Sequence, residues 1–434
     1  MNDFYDVAER NDKLVVMSEA NRNVELSIKS AFGKTERKSL KEIEMQGSVM
    51  GPIKASVQID SIGKDCIEKN VNLFKYKNLV DVPPLSFIDD ILAFSKCGQP
   101  SVKLNCFLNG KIQSKRLWFS DTKCHHIHAG RDSPFCPPLI VHGKEMEKVE
   151  SDKYLGDIIS SDSSNQKDID KKLSKGMGII SQIMALLNDV SLGAHYFEIA
   201  LLLRESLFVN GLLTNWEVKY GLKETDLDNL EKLDKILLRK ILNAHSKVPI
   251  ESLYLETGVV PLKIVVKSRR IMYLHHILSR KNNSLIKQFF QAQNNFPVKN
   301  DWSETVQKDL EDLNINMTLN DIKAMSKIKF KKYLKIKTRR FAFKELLKLK
   351  ETHSKMDKII YKKLEIEPYL KSTKIYPEKA KLLYKLRTHM ADVKSNFSRY
   401  YFYILICPLC ENVEDTQEHL LTCEKNAQNT IKYK

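Results

Sequence analysis

The chain reads as an α+β protein, with its strands in the first third, its helices after them and a small Cys/His module at the C-terminal end. Three observations predict this. Short apolar runs punctuated by turn residues occupy the first 160 positions, apolar residues at three-and-four spacing take over beyond Ser160, and three cysteines and a histidine crowd into Cys407–Cys423. With 434 residues and 42% hydrophobic content, the chain is globular and long enough for several domains. Lys and Arg outnumber Asp and Glu by 71 to 54, a formal net charge of +17, so the default partner is a polyanion. Charge alone does not separate nucleic acid from an anionic membrane. The start, MNDFYDVAERNDK, lacks a basic n-region followed by an apolar h-region. The most apolar stretch, Ile199–Leu213, is interrupted by Arg204 and Glu205, which predicts a buried helix rather than a membrane span. An intracellular protein with no membrane partner is therefore expected. Cys66, Cys97, Cys106, Cys124 and Cys136 are scattered as small buried residues or spare thiols would be.

Taken in order, the alternating VELSIKSAF predicts a strand, and Phe32–Lys34 a turn after it. Gln46-Gly47 leads to Gly51-Pro52, where a helix starts. In LSFIDDILAF, Leu85 to Phe94, two apolar runs short enough to be buried strands flank Asp89 and Asp90, which predicts a tight hairpin with an acidic tip. Aspartate favours turns for local hydrogen-bonding reasons, so the pair alone requires no chemistry. The segment from Leu108 to Gly130 reads as strands with a basic face. His125, His126 and His128 beside Cys124 sit too close together on an extended segment to converge on a metal, because successive strand side chains alternate faces. KVESDKYLGDII ends this part with the tight Tyr154-Leu155-Gly156 and a short strand.

QGSVMGP, FIDDILAFSKCG, FSDTKCHHIHAG and KYLGDIIS, in this order, resemble the later palm motifs of reverse transcriptases encoded by non-LTR (LINE-type) retrotransposons. The resemblance implies a partial polymerase palm sheet. It would set Gln46 and Gly47 against the incoming nucleotide and template and put catalytic Mg2+ on Asp89 with Asp90 beside it. Lys123 would lie on the following palm strand, and Tyr154, Leu155 and Gly156 in the primer-gripping hairpin. Nucleotide addition is an in-line displacement in which two divalent cations activate the primer hydroxyl and stabilise the leaving pyrophosphate. Such cations need carboxylates from separate strands. The family's further aspartate, on an earlier strand, has no match before Gln46, and Asp3 and Asp6 lack the apolar run that belongs with it. The expectation is a truncated palm, inactive in DNA synthesis on its own.

Beyond Ser160, three successive segments show helical periodicity, for example Leu227, Leu230, Leu233, Leu237 and Ile241, with Thr225 and Asp228 as a capping pair at the start of the third. Pro249 and Gly258 punctuate the next stretch. ESLYLETGVVPLKIVVKSRRIMYLHHIL and the helices before it resemble the thumb region of the same family. In KIKFKKYLKIKTRRFAFKELLKLK, lysines and arginines alternate with Phe330, Tyr333, Phe341 and Phe343. Two readings stay open there: a phosphate-neutralising groove with stacking faces, or an amphipathic helix with a solvated lysine face.

CPLCENVEDTQEHLLTC carries the sharpest spacing. Cys407 and Cys410 form a CxxC knuckle, His419 follows across a polar loop, and Cys423 stands one helical turn later, a closed set of ligands for Zn2+. With LYKLRTHMADVKSNFSRYY before it, this cluster resembles the C-terminal zinc module of the same elements, which is taken to contact RNA or target DNA. The expected organisation is a partial palm at 1–160, a helical thumb at 161–260, a basic helical connector at 261–380 and a zinc module at 381–434. The expected function is that of a reverse-transcriptase fragment that keeps binding to RNA and DNA. A deoxynucleoside triphosphate is the only small substrate, and only in an intact enzyme; the alternative is a host-adopted or decaying remnant acting as a zinc-dependent RNA- or DNA-binding protein.

Overall fold

The computed structural model describes residues 25–26, 29–30, 33–34, 38–39, 51–69, 71, 73–88, 90–115, 117–130, 137–189, 192–396 and 405–425. It is mixed α and β, and helices hold the larger share. The chain divides into two units, Met1–Asp168 with Asn282–Phe296, and Ile169–Lys281 with Pro297–Lys434.

In the first unit, the short strands β1 (Glu25–Leu26), β2 (Lys29–Ser30), β3 (Gly33–Lys34) and β4 (Lys38–Ser39) pair antiparallel, β1 with β4 and β2 with β3. The described residues of VELSIKSAF, 25–26 and 29–30, are in strand, and the rest of that segment lies outside the described residues. Helix α1 (Gly51–Glu68) opens at Gly51-Pro52, where the missing proline N–H is an unpaired first-turn donor in any case. Its Ile59, Ile62 and Cys66 meet Leu104, Leu108 and Ile112 of α2 (Gln99–Ser114), each set spaced so that it falls on one helix face. Leu108 to Ser114, expected as the start of a strand, is therefore the end of a helix. An ion pair from Lys111 to Asp65 crosses the two helices.

Strands β5 (Phe74–Tyr76) and β6 (Val80–Val82) form a hairpin that receives the helix Leu285–Asn295 from far along the chain. Tyr76 meets Phe289 edge-on with centroids 4.9 Å apart, and its hydroxyl accepts from Gln293 Nε2 at 3.3 Å. Strands β7 (Leu85–Phe87) and β8 (Asp90–Leu92) pair antiparallel, with Phe87 opposite Asp90 and Ile88 left-handed at φ 58°. The flanks of this ribbon are not buried strands, since Phe87 is 56% and Phe94 37% exposed. Among the described residues every sheet has two strands, and this ribbon is only partly buried, through Ile88 and Ile91 against the α1–α2 cluster. Farther on come β9 (His125–His126), β10 (Ile140–Val141), β11 (Lys144–Glu145) and β12 (Glu147–Lys148), with β10 antiparallel to β11 and β9 parallel to β12. The hairpin of β13 (Ser151–Tyr154) and β14 (Asp157–Ser160) turns through Leu155 and Gly156 at φ 48° and 95°, the positive pair that a two-residue turn between twisted strands requires. Cys66 is buried, Cys106 exposed and Cys124 between the two, whereas Cys97 is disulfide-bonded rather than a spare thiol.

Helix α3 (Gln166–Asp189) leads into the second unit. Helix α4 (Tyr196–Leu203) runs on through a π-helical turn, Arg204–Val209, into Asn210–Leu212. Ile199–Leu213 is therefore helical but only half buried, with Phe208, Val209, Leu212 and Leu213 inside and Leu202 outside. Helix α5 (Glu224–Leu242) buries the whole predicted stripe, Leu227, Leu230, Leu233, Leu237 and Ile241. Full burial of such a side chain is worth roughly 1.5–3 kcal/mol relative to exposure, which is what fixes α5 at the centre of the core. The helix starts earlier than the expected cap. The Asp226 carboxylate accepts from Lys223 N at 3.0 Å, while Asp228 is drawn 2.7 Å from Lys263.

Helix α6 (Ile250–Thr257) begins after Pro249 and ends on Gly258 at φ 66°. A Cβ on Gly258 would stand 2.1 Å from the Glu365 carbonyl carbon, so glycine is required by close approach as well as by dihedral. Helices α8 (Trp302–Asp312) and α9 (Lys327–Lys350) each pack on α7 (Leu262–Leu278), and the Arg270 and Asp309 side chains, both buried, pair at 2.6 Å. Helix α10 (Pro377–Arg387) places Tyr384 in the same core, its hydroxyl 2.7 Å from Ser252 Oγ. No helix among the described residues is long and apolar enough to cross a membrane.

Candidate metal centre and basic helix face

The Cys/His module is built on a small knuckle. Ile406 bridges Glu414 antiparallel, Cys407 N donates to Val413 O at 2.8 Å and Glu411 N to Cys407 O at 2.9 Å, so the chain reverses between the first two cysteines and the polar loop. Glu411 takes a left-handed φ of 58° to make that reversal. Helix α11 (Gln417–Thr422) is capped by Thr416, whose hydroxyl accepts from His419 N at 3.1 Å. That cap fixes the helical phase of His419, and Cys423 N closes the helix by donating to His419 O at 2.7 Å.

Local order of this kind brings Cys407, Cys410, His419 and Cys423 together, with every candidate ligand atom within 4.8 Å of the others. Cys410 Sγ and His419 Nε2 are 3.2 Å apart. Cys407 and Cys423 are buried, and the other two are partly covered. Backbone N–H groups of Asn412 and Val413, with help from His419 and Cys407, hold the Cys410 thiol down to about 6. A tetrahedral ion with arms of about 2.3 Å to sulfur needs ligand atoms a little under 4 Å apart, so this group could hold a metal ion after a small adjustment of its side chains.

Outside the ligands, Asp415 and Gln417 fasten the module. Asp415 Oδ2 accepts from Lys394 N at 2.8 Å, Gln417 Nε2 donates to Leu386 O at 2.7 Å, and Gln417 Oε1 accepts from Ala391 N at 3.3 Å. The module is thereby tied to the end of α10. Sequence reasoning passed over both residues, although Asp-Thr-Gln ahead of His419 is a helix-start pattern.

The basic segment is the single helix α9, which resolves the two readings of its periodicity. Phe330, Leu334, Thr338, Ala342 and Leu346 recur every fourth residue and are buried. Phe330 stacks on His275 with centroids 4.8 Å apart, and Phe341 and Phe343 are partly buried, so the aromatic rings serve the core and not a groove. On the opposite side, Lys329, Lys331, Lys332, Lys335, Arg340 and Lys344 are exposed and have no carboxylate partner among the described residues. Arg339 is different: its guanidinium donates to Gly258 O at 2.9 Å and to Leu364 O, which makes it a clamp on the tight α6 end.

In the first unit, Gln46, Gly47 and Asp89 lie outside the described residues. Asp90 is exposed at the start of β8. Tyr154 reaches the same hairpin, donating from its hydroxyl to Leu85 O at 3.4 Å; burial, then the charge of Asp90, raise its phenol above the ordinary range. Leu155 and Gly156 form the neighbouring turn. Lys123 is not on a strand but in the turn before β9, where its N–H donates to Ser120 O at 3.3 Å. His125 contacts Asp152 at 2.9 Å, and the histidines there join no metal-holding group among the described residues. No family model and no curated protein matches this chain.

Proposed function

We propose that this chain is a nucleic-acid-binding protein, similar to the C-terminal part of a non-LTR retrotransposon reverse transcriptase, that uses Zn2+ to order its C-terminal module and the solvent face of α9 to bind RNA or DNA. The observation that carries the reading is the row of cations on α9. Like charges three and four residues apart destabilise a helix by a few tenths of a kcal/mol per pair, so Lys331 with Lys335 and Arg340 with Lys344 have no benefit to the isolated fold. A polyanion removes that repulsion and gains from released counterions. From Lys329 to Lys344 the row runs about 22 Å, the length of several phosphates along a strand.

Three cysteines and one histidine suit Zn2+ better than a hard cation, because thiolate is a soft ligand. The palm assignment, with Asp89 and Asp90 as Mg2+ ligands, Gln46, Gly47 and Lys123 on the nucleotide side and Tyr154 to Gly156 as primer grip, is supported by motif order and by the approach of Tyr154 to the β7–β8 hairpin. Fluorescence anisotropy with a single-stranded RNA across a salt series tests the binding reading. Substituting Lys332→Ala and Lys344→Ala together should weaken binding and flatten the log–log salt slope by roughly 1.4, the value for two lost phosphate contacts on a single strand. An unchanged slope would remove α9 from the interface.

A further inference from the structure

An open cleft of about 440 Å³ lies in the second unit between the end of α5, the start of α6 and the 3₁₀ turn Ser354–Met356, and Arg239, Lys247, Glu251, His353 and Lys355 line it. Its volume is within the range of small-molecule sites, about 300–1,000 Å³. Three of these side chains, Arg239, Lys247 and Lys355, are basic. Lys355 Nζ has neutral neighbours, Met390 Sδ at 3.1 Å, Asn396 Oδ1 at 3.3 Å and the His389 carbonyl at 3.5 Å. Burial, then the charge of Lys247, lower its pKa, as expected where two ammonium groups converge. The Arg239 Nε–H is buried with no partner, and its Nη2 reaches only the Ser246 carbonyl at 3.4 Å.

One carboxylate shares the cleft. Glu251 is 7% exposed, and its Oε2 is buried and accepts no hydrogen bond, with His353 Nε2 3.4 Å away. A bare phosphate dianion would satisfy the cations and be repelled by Glu251. A metal cation would do the reverse. Both sets are satisfied by one molecule that carries an anion and a neutral hydroxyl donor a few ångströms apart. We propose that the cleft binds a ribose-phosphate unit, with the phosphate held by Arg239, Lys247 and Lys355 and the ribose 2′-hydroxyl donating to Glu251 Oε2. An acceptor for the 2′-hydroxyl distinguishes RNA from DNA. The unit comes either from an RNA strand, which rests on the binding reading above, or from a free ribonucleotide.

The test uses the zinc-loaded full chain and two probes. Calorimetric titration compares AMP with 2′-deoxy-AMP, and anisotropy compares a 5′-phosphorylated RNA with DNA of the same sequence. In the wild type AMP should bind about tenfold tighter than 2′-deoxy-AMP, the worth of one hydrogen bond to a charged acceptor. Glu251→Leu should bring that ratio to about one, and Glu251→Gln, which keeps a carbonyl acceptor, should restore part of it. Lys247→Ala, at an exposed position, should weaken both nucleotides about tenfold and leave the ratio alone. The paired Lys332→Ala and Lys344→Ala chain, altered only on α9, should bind AMP as the wild type does.

Equal affinity for AMP and 2′-deoxy-AMP in the wild type, or a ratio that survives Glu251→Leu in a variant with wild-type thermal unfolding, overturns the proposal. If AMP behaves as described and Lys247→Ala also weakens the RNA, the source is an RNA strand. If RNA binding ignores Lys247→Ala while AMP binding does not, the site stands with a free ribonucleotide as its ligand. Failure of the wild type to bind any oligonucleotide would defeat the binding reading, and the AMP comparison would still decide the cleft.

Discussion

At the scale of single residues, stability is concentrated in buried charges that are paired. Arg204 reaches Asp234 through two hydrogen bonds of 2.7 and 2.6 Å, and the two side chains are 3% and 0% exposed. The fork of the guanidinium matches both carboxylate oxygens, which recovers much of the desolvation cost that a less exact geometry would leave uncompensated. Removing one partner strands the other. Asp234→Ala should therefore cost roughly 3–5 kcal/mol, read as a lower urea midpoint, while the double change Arg204→Met with Asp234→Leu should lie far closer to the wild type. Near-equal losses in the two chains would mean that packing around the π-helical turn, and not the charge, sets the value. Arg204 illustrates what the linear chain conceals. In IALLLRES it reads only as a break in an apolar run, because its partner stands thirty positions downstream on another helix.

The elements show the same division between local and distant causes. The Cys407–Cys423 ligand set was legible because zinc spacing is a property of one turn and one helix, both short in sequence. Asp415 and Gln417 were not, since their partners Lys394, Ala391 and Leu386 are chosen by how the module meets α10. In α9 the lysines are dense enough to fit two periods; burial of Phe330 and Leu334 selects the helical one and turns the rings inward. The module has too few apolar residues for a core of its own, so the metal should supply most of its stability, on the order of 10 kcal/mol or more at neutral pH. A chelator, or His419→Ala, should expose the chain around Cys407–Cys423 to limited proteolysis while leaving cleavage elsewhere unchanged, and an unaltered digest would sink the zinc assignment. Metal loading should also fall between pH 7.5 and pH 5. The Cys410 thiol sits at about 6, so at the lower pH a proton competes with the metal at this ligand, whereas at the higher pH Cys410 is already thiolate.

Over the whole molecule, the α+β class followed from a change of period near Ser160, and the helical share of the chain carries that change plainly. The strand-rich part was less legible: short apolar runs specify hairpins, but which hairpins join into a larger sheet depends on non-local pairing that no local pattern encodes. The same limit governs catalysis. A two-metal site needs carboxylates converging from separate strands, and of the two adjacent aspartates only Asp90 lies among the described residues, exposed on β8. Among the described residues, the only group of three or more metal-binding side chains close enough to share an ion is the Cys/His set, and Asp90 stands exposed away from any other such group. On the reading proposed above, binding through the basic face would stabilise ground and transition states alike and so would not by itself supply catalysis. The chain should consequently bind an annealed RNA template and DNA primer but not extend the primer in Mg2+, and Asp89→Asn should give the same background as the wild type. Extension by the wild type that disappears in Asp89→Asn would show that another carboxylate completes the site, and would overturn the reading of the chain as a binding protein alone.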